Sequence, residues 1–394
     1  MKRSTDRILT THIGSLARPT DLLDMMDARL KGEPYDAETY TARVRSAVSE
    51  SVRKQVETGI DVVTDGEQSK PGFNSYVVER LTGFERQASA GRPPRLDSEE
   101  GRAFPEYYEQ YVKRRAPIGP SGALVCVGPI TYTGHDAVQT DIANLKAALN
   151  GLHPEEVFMP AIPAGFFVHP NGGTRNTYYK TQEEFLYALG EALREEYLAI
   201  TEAGLVLQID DPSLTRLYHF DPSLPLAERR KGTERYIEAL NHSLRGIPPE
   251  RIRYHTCYGI DEGPRVTDIP FKDYVDLMLK INTEAYSYEQ ANPRHDHEWH
   301  VWEDVKLPDG KVLIPGVVSH STNIVDHPEL IAERIVRIAK LVGRENVIAA
   351  PDCGFATVAS YDLAIHPTVV WAKFQAMAEG ARLATSQLWG GRSG

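Results

Sequence analysis

Short apolar runs alternate with amphipathic stretches along most of the sequence, and this alternation restricts the fold more than any other feature. The apolar runs read as eight strands at residues 9–16, 59–65, 123–131, 204–210, 251–257, 285–289, 312–320 and 346–351. Between them, residues 42–58, 182–203 and 328–341 carry apolar side chains at helical spacing. Alternating strands and helices favour a mostly parallel sheet, and eight strands favour a closed α/β barrel, the (β/α)₈ TIM barrel, over an open sheet.

Two segments do not fit a bare barrel. Residues 86–119, after the second predicted strand, are polar and contain four prolines, and residues 151–179, after the third, are rich in proline and glycine. A further strand-like piece lies at residues 165–169. Loops this long are often lids or substrate walls, but a surface elaboration or a subunit contact is an equal alternative. We therefore predict one domain over residues 1–394 with two insertions, at about 86–119 and 151–179.

The charge balance excludes several classes of partner. Lys and Arg total 44 against 55 for Asp and Glu, a formal charge of −11, which argues against nucleic acid and anionic membranes. The first residues lack the apolar core of a signal peptide, and no run approaches the length of a membrane span, so we expect a cytoplasmic protein. Three cysteines are too few for a disulfide framework. A homo-oligomeric assembly is left open.

Polar clusters follow nearly every predicted strand at its carboxyl end. They are Ile13-Gly14-Ser15, Asp65-Gly66-Glu67, Asp210-Asp211, His255-Thr256-Cys257, Tyr288-Glu289, Ser319-His320-Ser321 and Pro351-Asp352-Cys353. In a parallel barrel these ends converge on one mouth, where active sites lie. Charged residues at the ends of apolar strands are costly to bury without a task.

Four of these residues have the chemistry of a zinc site. His255 and Cys257 are two apart, so on a strand both can face the mouth. Cys353 follows the last predicted strand, and Glu289 ends the sixth; two thiolates, an imidazole and a carboxylate are good zinc ligands. A His-x-Cys pair alone could equally be a buried histidine beside a core cysteine, but the joint arrangement favours metal. Cys126, inside the third predicted strand, reads as a core cysteine.

The sequence resembles the cobalamin-independent methionine synthase family, specifically its C-terminal catalytic barrel. The resemblance covers most of the chain and rests on residues 10–15, 61–67, 128–131, 208–212, 255–258, 320–324 and 351–354. That family is a zinc-containing (β/α)₈ barrel that methylates the sulfur of homocysteine from a methylfolate. Full-length members carry a second, N-terminal barrel that is absent here, so the chain resembles a short stand-alone form.

The resemblance implies a ligand set for Zn²⁺. By position, His255, Cys257, Glu289 and Cys353 match the family's zinc ligands. The segment after Cys257 is longer than in the family's usual form, which leaves Glu284 as an alternative to Glu289.

The resemblance also implies a substrate pocket. Ile13 to Ser15 match the residues that bind the homocysteine carboxylate, and Glu67 and Asp210 match those that bind its ammonium group. His320 matches the family's proposed proton donor. Without the resemblance, Glu67 and Asp210 could be helix N-caps, and His320 could bond to a loop carbonyl.

Several functions remain compatible with these residues. Paired carboxylates suit a thiol that bears an ammonium group, such as homocysteine, so methionine-synthase-like methyl transfer is the leading prediction. The third predicted strand continues without the tryptophan expected beside a pterin, which leaves the methyl donor open. A catabolic thiol alkyltransferase, such as an epoxyalkane:coenzyme M transferase, is one alternative; a zinc hydrolase or lyase, or a zinc-stabilised scaffold, is another. The histidine-rich residues 292–302 read as a loop or lid, with a second metal site as the lesser alternative.

Overall fold

The barrel is the organising element of the fold. The computed structural model describes residues 1–73, 75–87, 96, 98–114, 118, 122–168, 174–217, 225–259 and 263–390. Its strands are β1 (Leu9–Thr10), β2 (Val62–Val63), β3 (Phe84–Gln87), β4 (Ala123–Cys126), β5 (Glu156–Ala161), β6 (Thr174–Asn176), β7 (Val206–Asp210), β8 (Ile252–His255), β9 (Ala285–Tyr288), β10 (Val312–Val318) and β11 (Ile348–Pro351). Eight of them pair in parallel in the order β1-β11-β10-β9-β8-β7-β5-β2, and a parallel bridge from Thr11 to Val62 joins the two ends. The predicted (β/α)₈ barrel is confirmed.

Helices lie around the barrel. They are α1 (Thr20–Lys31), α2 (Ala37–Glu57), α3 (Glu99–Ala103), α4 (Pro105–Arg114), α5 (His135–Ala148), α6 (Gly165–Val168), α7 (Gln182–Glu202), α8 (Leu214–Leu217), α9 (Leu226–Ser243), α10 (Val275–Met278), α11 (Val301–Asp304), α12 (Pro328–Val342) and α13 (Pro367–Trp389). The three predicted helices correspond to α2, α7 and α12. Asp36 and Thr181 cap α2 and α7 by accepting hydrogen bonds from backbone N–H groups of the first turn.

The strands are apolar runs because both of their faces are covered. On one face of the strands, buried aliphatic side chains form one cluster of Leu9, Ile13, Ala285, Val312, Ile314, Ile348 and Ala350. A larger cluster fills the layer between the strands and the helices. Parallel strands buried on both faces lack the alternation of half-exposed strands, which is why continuous hydrophobic runs located them.

The third predicted strand is wrong. Its apolar part is β4, which lies outside the barrel in a three-stranded sheet, antiparallel to β3 and parallel to β6. The third barrel strand is β5, inside the segment predicted as the second insertion. Pro160 and the polar Glu156 made β5 a weak candidate, since proline in a run argues against a strand. The strand-like piece at residues 165–169 is also wrong over its described part, because Gly165–Val168 is the helix α6.

The segment predicted as the first insertion holds two described helices, α3 and α4. Three tyrosines on α4, Tyr107, Tyr108 and Tyr111, pack ring against ring. Glu100 on α3 accepts a hydrogen bond of 2.8 Å from the backbone N–H of Val266, which lies in the segment after Cys257. This part of the chain therefore packs on the same side as the barrel mouth. Within the described residues, no helix combines the length and apolar character that crossing a membrane requires.

Candidate metal and thiol site

Three side chains of ligand type meet at the carboxyl ends of β8 and β11. His255 ends β8, Cys257 lies two residues further, and Cys353 lies two residues after the end of β11. All three are buried, and one potential ligand atom from each lies within 4.8 Å of the others. The chain brings these three together because the ends of parallel strands share one rim of the barrel.

His255 presents one ring nitrogen to the other two side chains. Its Nδ1 lies 3.1 Å from Ser287 Oγ, whereas its buried Nε2 has no hydrogen-bond partner among the described residues and lies 3.8 Å from Asp210 Oδ1. Burial, together with the nearby Arg253, lowers the pKa of His255 to about 3. The imidazole is therefore neutral at physiological pH, which is the form that binds metals.

The two cysteines are thiols in a site that needs a cation. A hydrogen bond with Cys257, burial and neighbouring carboxylates raise the pKa of Cys353 well above its usual range. The Cys353 thiol would therefore ionise readily only beside a positive charge, and the donor set of two sulfurs and one imidazole fits Zn²⁺. Cys126 is buried in β4, in the other sheet, where its Sγ contacts the Gly128 carbonyl.

Glu289 lies beside this group and is held by other partners. Its Oε2 accepts hydrogen bonds from Arg265 Nη1 at 2.6 Å and Asn292 Nδ2 at 2.8 Å, and its Oε1 accepts one from the Tyr258 N–H at 2.8 Å. It groups with His320 and not with the two cysteines. Burial raises the pKa of Glu289 to about 7, although Arg265 opposes the change. Its role as a ligand stays a prediction.

Glu284, the alternative to Glu289, is not a candidate ligand. It precedes β9, at the opposite end of the strand from the mouth. Its two carboxylate oxygens accept hydrogen bonds from the Met1 ammonium at 2.8 Å and from Arg3 at 2.9 Å. Glu284 therefore belongs to the closed end of the barrel.

Two carboxylates at the mouth, the buried Glu67 and the partly exposed Asp210, have few compensating partners among the described residues. Glu67 has both oxygens buried without a hydrogen bond from the described residues; Arg18 Nη2 lies 3.8 Å away. A Cβ at Gly14 would lie 3.0 Å from Glu67 Oε1, so the chain can approach this carboxylate closely only as glycine. Burial raises the pKa of Glu67, and burial together with Glu67 raises that of Asp210 well above its usual range. Such a pair attracts a cationic ligand.

Ile13 and Ser15 lie on the same rim. The Ile13 carbonyl accepts a hydrogen bond of 2.5 Å from Gln208, and the Ser15 hydroxyl lies 3.5 Å from that of Thr357. Gly354, next to Cys353, packs against Ser15 so closely that an added Cβ would lie 2.2 Å from its Oγ. The predicted carboxylate-binding residues therefore adjoin the cysteine-bearing loop.

His320 is in contact with the segment that follows Cys257. Its Nε2 lies 3.2 Å from the Gly259 carbonyl and 3.3 Å from Arg265 Nη2. The loop-carbonyl contact considered from the sequence is therefore present. The role of His320 as a proton donor stays a prediction.

Residues that sequence reasoning missed organise the surrounding loops. Asp352 accepts hydrogen bonds of 2.7 Å from the N–H groups of Gln290 and Ala291 and so shapes the loop after β9. The polar cluster after the last predicted strand contained Asp352 but gave it no role. No sequence pattern pointed to Arg265, because its importance depends on the tertiary contact with Glu289.

The histidine-rich segment holds a buried ion pair. His295 contacts Asp268 at 3.1 Å and Glu298 at 2.7 Å and stacks on Tyr258 with ring centroids 4.0 Å apart. These carboxylates outweigh burial and raise the pKa of His295 to about 9, so it is cationic at physiological pH. Neither of the two metal-like groups in the described part of the chain includes a histidine from residues 292–302.

Comparisons with known proteins give a family match, similar sequences and a similar fold. A family model described as the catalytic domain of cobalamin-independent synthase matches residues 8–92 and 174–366. A methionine synthase from Saccharolobus islandicus is 23% identical over 383 residues, covering 96% of this chain and 95% of that one. A methionine synthase from Saccharolobus solfataricus is 24% identical over 382 residues, with the same coverage of both chains. The structure of a B12-independent methionine synthase from a Shewanella species, in complex with selenomethionine, shares the fold with a TM-score of 0.73 at 18% identity, covering 98% of this chain and 99% of that one.

Proposed function

This chain belongs to the cobalamin-independent methionine synthase family of methyltransferases, and on that premise we propose that it uses a zinc ion to methylate the sulfur of homocysteine. The observation that carries the proposal is the grouping of His255, Cys257 and Cys353 within 4.8 Å, with the buried Nε2 of His255 lacking a hydrogen bond from the described residues. An orphaned nitrogen beside two buried thiols is costly unless a cation binds there.

His255, Cys257 and Cys353 would hold the ion, and Glu289 is the predicted fourth ligand. When bound, the ion would supply the positive charge that favours the thiolate form of the incoming sulfur. Three firmly placed ligands and one carboxylate of harder character suit a site in which one position is exchanged for substrate.

The charges of the mouth support an amino-acid thiol. Glu67 and Asp210 would bind the ammonium group, since Glu67 is buried without a hydrogen bond from the described residues, and desolvation together with the nearby Glu67 charge raises the pKa of the partly exposed Asp210. The rim of Ile13 and Ser15 would bind the carboxylate. Together these contacts orient the thiol towards the metal-binding side chains and hold it against diffusion. Coenzyme M, which has a sulfonate and no ammonium group, would leave both carboxylates unsatisfied.

His320 would supply the proton that the departing donor needs. The nitrogen of a methylfolate leaves poorly as an anion, so it must be protonated as its methyl group moves to sulfur. Nε2 of His320 lies 3.2 Å from the Gly259 carbonyl. In the imidazolium form of His320, Nε2–H would donate to that carbonyl and Nδ1–H would supply the transferred proton, leaving a neutral ring. The donor is proposed to be a methylfolate, as in the family.

A metal analysis combined with a donor screen tests the proposal. The purified protein should contain one zinc per chain, which Cys257→Ser and Cys353→Ser lose and Cys126→Ser retains as a matched control. Methyltetrahydrofolate with homocysteine should yield methionine by mass detection. A zinc-free protein, or one that alkylates coenzyme M and not homocysteine, would contradict the proposal.

A further inference from the structure

The segment between Cys257 and β9 places an arginine directly on Glu289. Arg265 Nη1 lies 2.6 Å from Glu289 Oε2, and both side chains are buried. The Tyr258 N–H occupies the other oxygen, and Asn292 adds a third donor. Both oxygens of the Glu289 carboxylate therefore accept hydrogen bonds from the protein itself.

Arg265 is fixed by contacts on both sides along the chain. Its backbone φ of +55° lies in the left-handed region, which a residue other than glycine enters only at a cost. The next residue, Val266, donates to Glu100 on α3, and Asp268 pairs with His295. Arg265 Nη2 also donates to the Gly259 carbonyl. These contacts fix the buried Arg265 guanidinium in place, so it belongs to the site and is not a mobile surface charge.

We propose that Arg265 is a positioning residue that competes with the bound metal for the Glu289 carboxylate and so keeps one coordination position available to the thiol. The inference rests on the proposed zinc site. A charge-assisted hydrogen bond draws electron density from the carboxylate oxygen that accepts it, so a stronger hydrogen bond from Arg265 would weaken the bond from Glu289 to the metal. With the metal bound, an incoming thiol would find Glu289 the most readily displaced ligand, because Arg265 would keep the released carboxylate paired.

If the Arg265–Glu289 ion pair were purely structural, loss of Arg265 would change zinc affinity in the opposite direction. If Arg265 only held the segment together, its loss would loosen the site and weaken zinc binding. If it competes for Glu289, its loss frees the carboxylate for the metal, so zinc binds more tightly and the thiol binds less well.

The test is a double-mutant cycle on Arg265 and Glu289, with zinc affinity measured by chelator competition and homocysteine affinity measured by calorimetry on the zinc-loaded protein. We expect Arg265→Gln to tighten zinc binding about 10-fold or more and to weaken homocysteine binding by a similar factor. Glu289→Gln should change zinc affinity by less than about 3-fold in the wild type but should abolish the gain in the Arg265→Gln background.

Two control variants separate the effect on Glu289 from loss of positive charge and from loss of a buried arginine. Arg265→Lys keeps the charge with a weaker grip and should shift both affinities in the same direction by less. Arg334→Gln removes an equally buried arginine, which pairs with Asp326 at 2.7 Å and contacts the Ala291 carbonyl on the same loop, and should not tighten zinc binding. Circular dichroism establishes folding in each variant.

The outcomes separate this inference from the proposed function. A wild-type protein that binds no zinc would overturn both. Zinc binding that weakens in folded Arg265→Gln or Arg265→Lys, or that weakens strongly in Glu289→Gln alone, would overturn only the role of Arg265.

Discussion

The two ends of the barrel treat the same residue type in opposite ways. At the closed end, both oxygens of Glu284 accept hydrogen bonds, from the Met1 ammonium and from Arg3. At the mouth, neither oxygen of Glu67 receives a hydrogen bond from the described residues, although both are buried. A charge that the fold compensates contributes to structure, whereas a buried charge left without hydrogen bonds destabilises the fold and points to a ligand that would pair with it.

The largest expected effect separates activity from stability at the mouth. Glu67→Gln should lower kcat/KM for homocysteine roughly 100-fold or more, equivalent to about 3 kcal/mol, because a buried ion pair with the substrate ammonium is lost. The melting temperature of the metal-loaded protein should stay unchanged or rise, since the burial of a poorly compensated carboxylate is relieved. Steady-state kinetics and calorimetry measure the two quantities. A loss of kcat/KM accompanied by a clear fall in the melting temperature would mean that Glu67 is structural.

His295 lies at the mouth but is paired with carboxylates, so it tests whether the ion pairs of a residue or its place in the barrel determines its contribution to stability. The folded-state pKa of His295, about 9, lies above its unfolded value of 6.5, so its charge stabilises the fold fully below pH 6.5 and ceases to do so as pH rises through about 9. The charged partners that face it are Asp268, Glu298 and, further away, Glu289.

His295→Gln should therefore lose roughly 2 to 3 kcal/mol of pH-dependent unfolding free energy below pH 6.5, and the gap to the wild type should close by pH 10. Urea unfolding at several pH values measures the gap. A gap that does not vary with pH would show that the His295 ion pairs contribute no charge-dependent stability.

The smallest effect is expected at the closed end. Glu284→Gln should reduce the unfolding free energy by about 1 kcal/mol, since the pair is partly exposed and screened. Its kcat/KM should equal that of the wild type, which makes it the matched control for Glu67→Gln. A large loss of activity would erase the contrast between the two ends.

The sequence located most of the barrel and the ligand group for the same physical reason. Parallel strands buried on both faces are continuous apolar runs, and the polar residues that interrupt them fall at the mouth. His255, Cys257 and Cys353 could therefore be assigned to one site without any structure. The exception is β5, which was not predicted because Pro160 argues against a strand. The apolar β4 was predicted as the third barrel strand instead.

What the sequence could not supply was the pairing of charges. Arg265 precedes Glu289 by a segment without strong periodicity, and only the folded chain brings the guanidinium to the carboxylate. Likewise, the histidines of residues 292–302 suggested metal chemistry, but His295 meets two carboxylates from different parts of the chain. Pairing depends on loop geometry, which local propensity does not determine.

The register of the barrel also has a consequence during synthesis. Because β1 pairs with β11, the edge of β1 that faces β11 stays uncovered until β11 has left the ribosome. The cluster of His255, Cys257 and Cys353 is completed equally late, since Cys353 follows β11 in the chain. A nascent chain that has not reached Cys353 therefore cannot form the three-residue cluster.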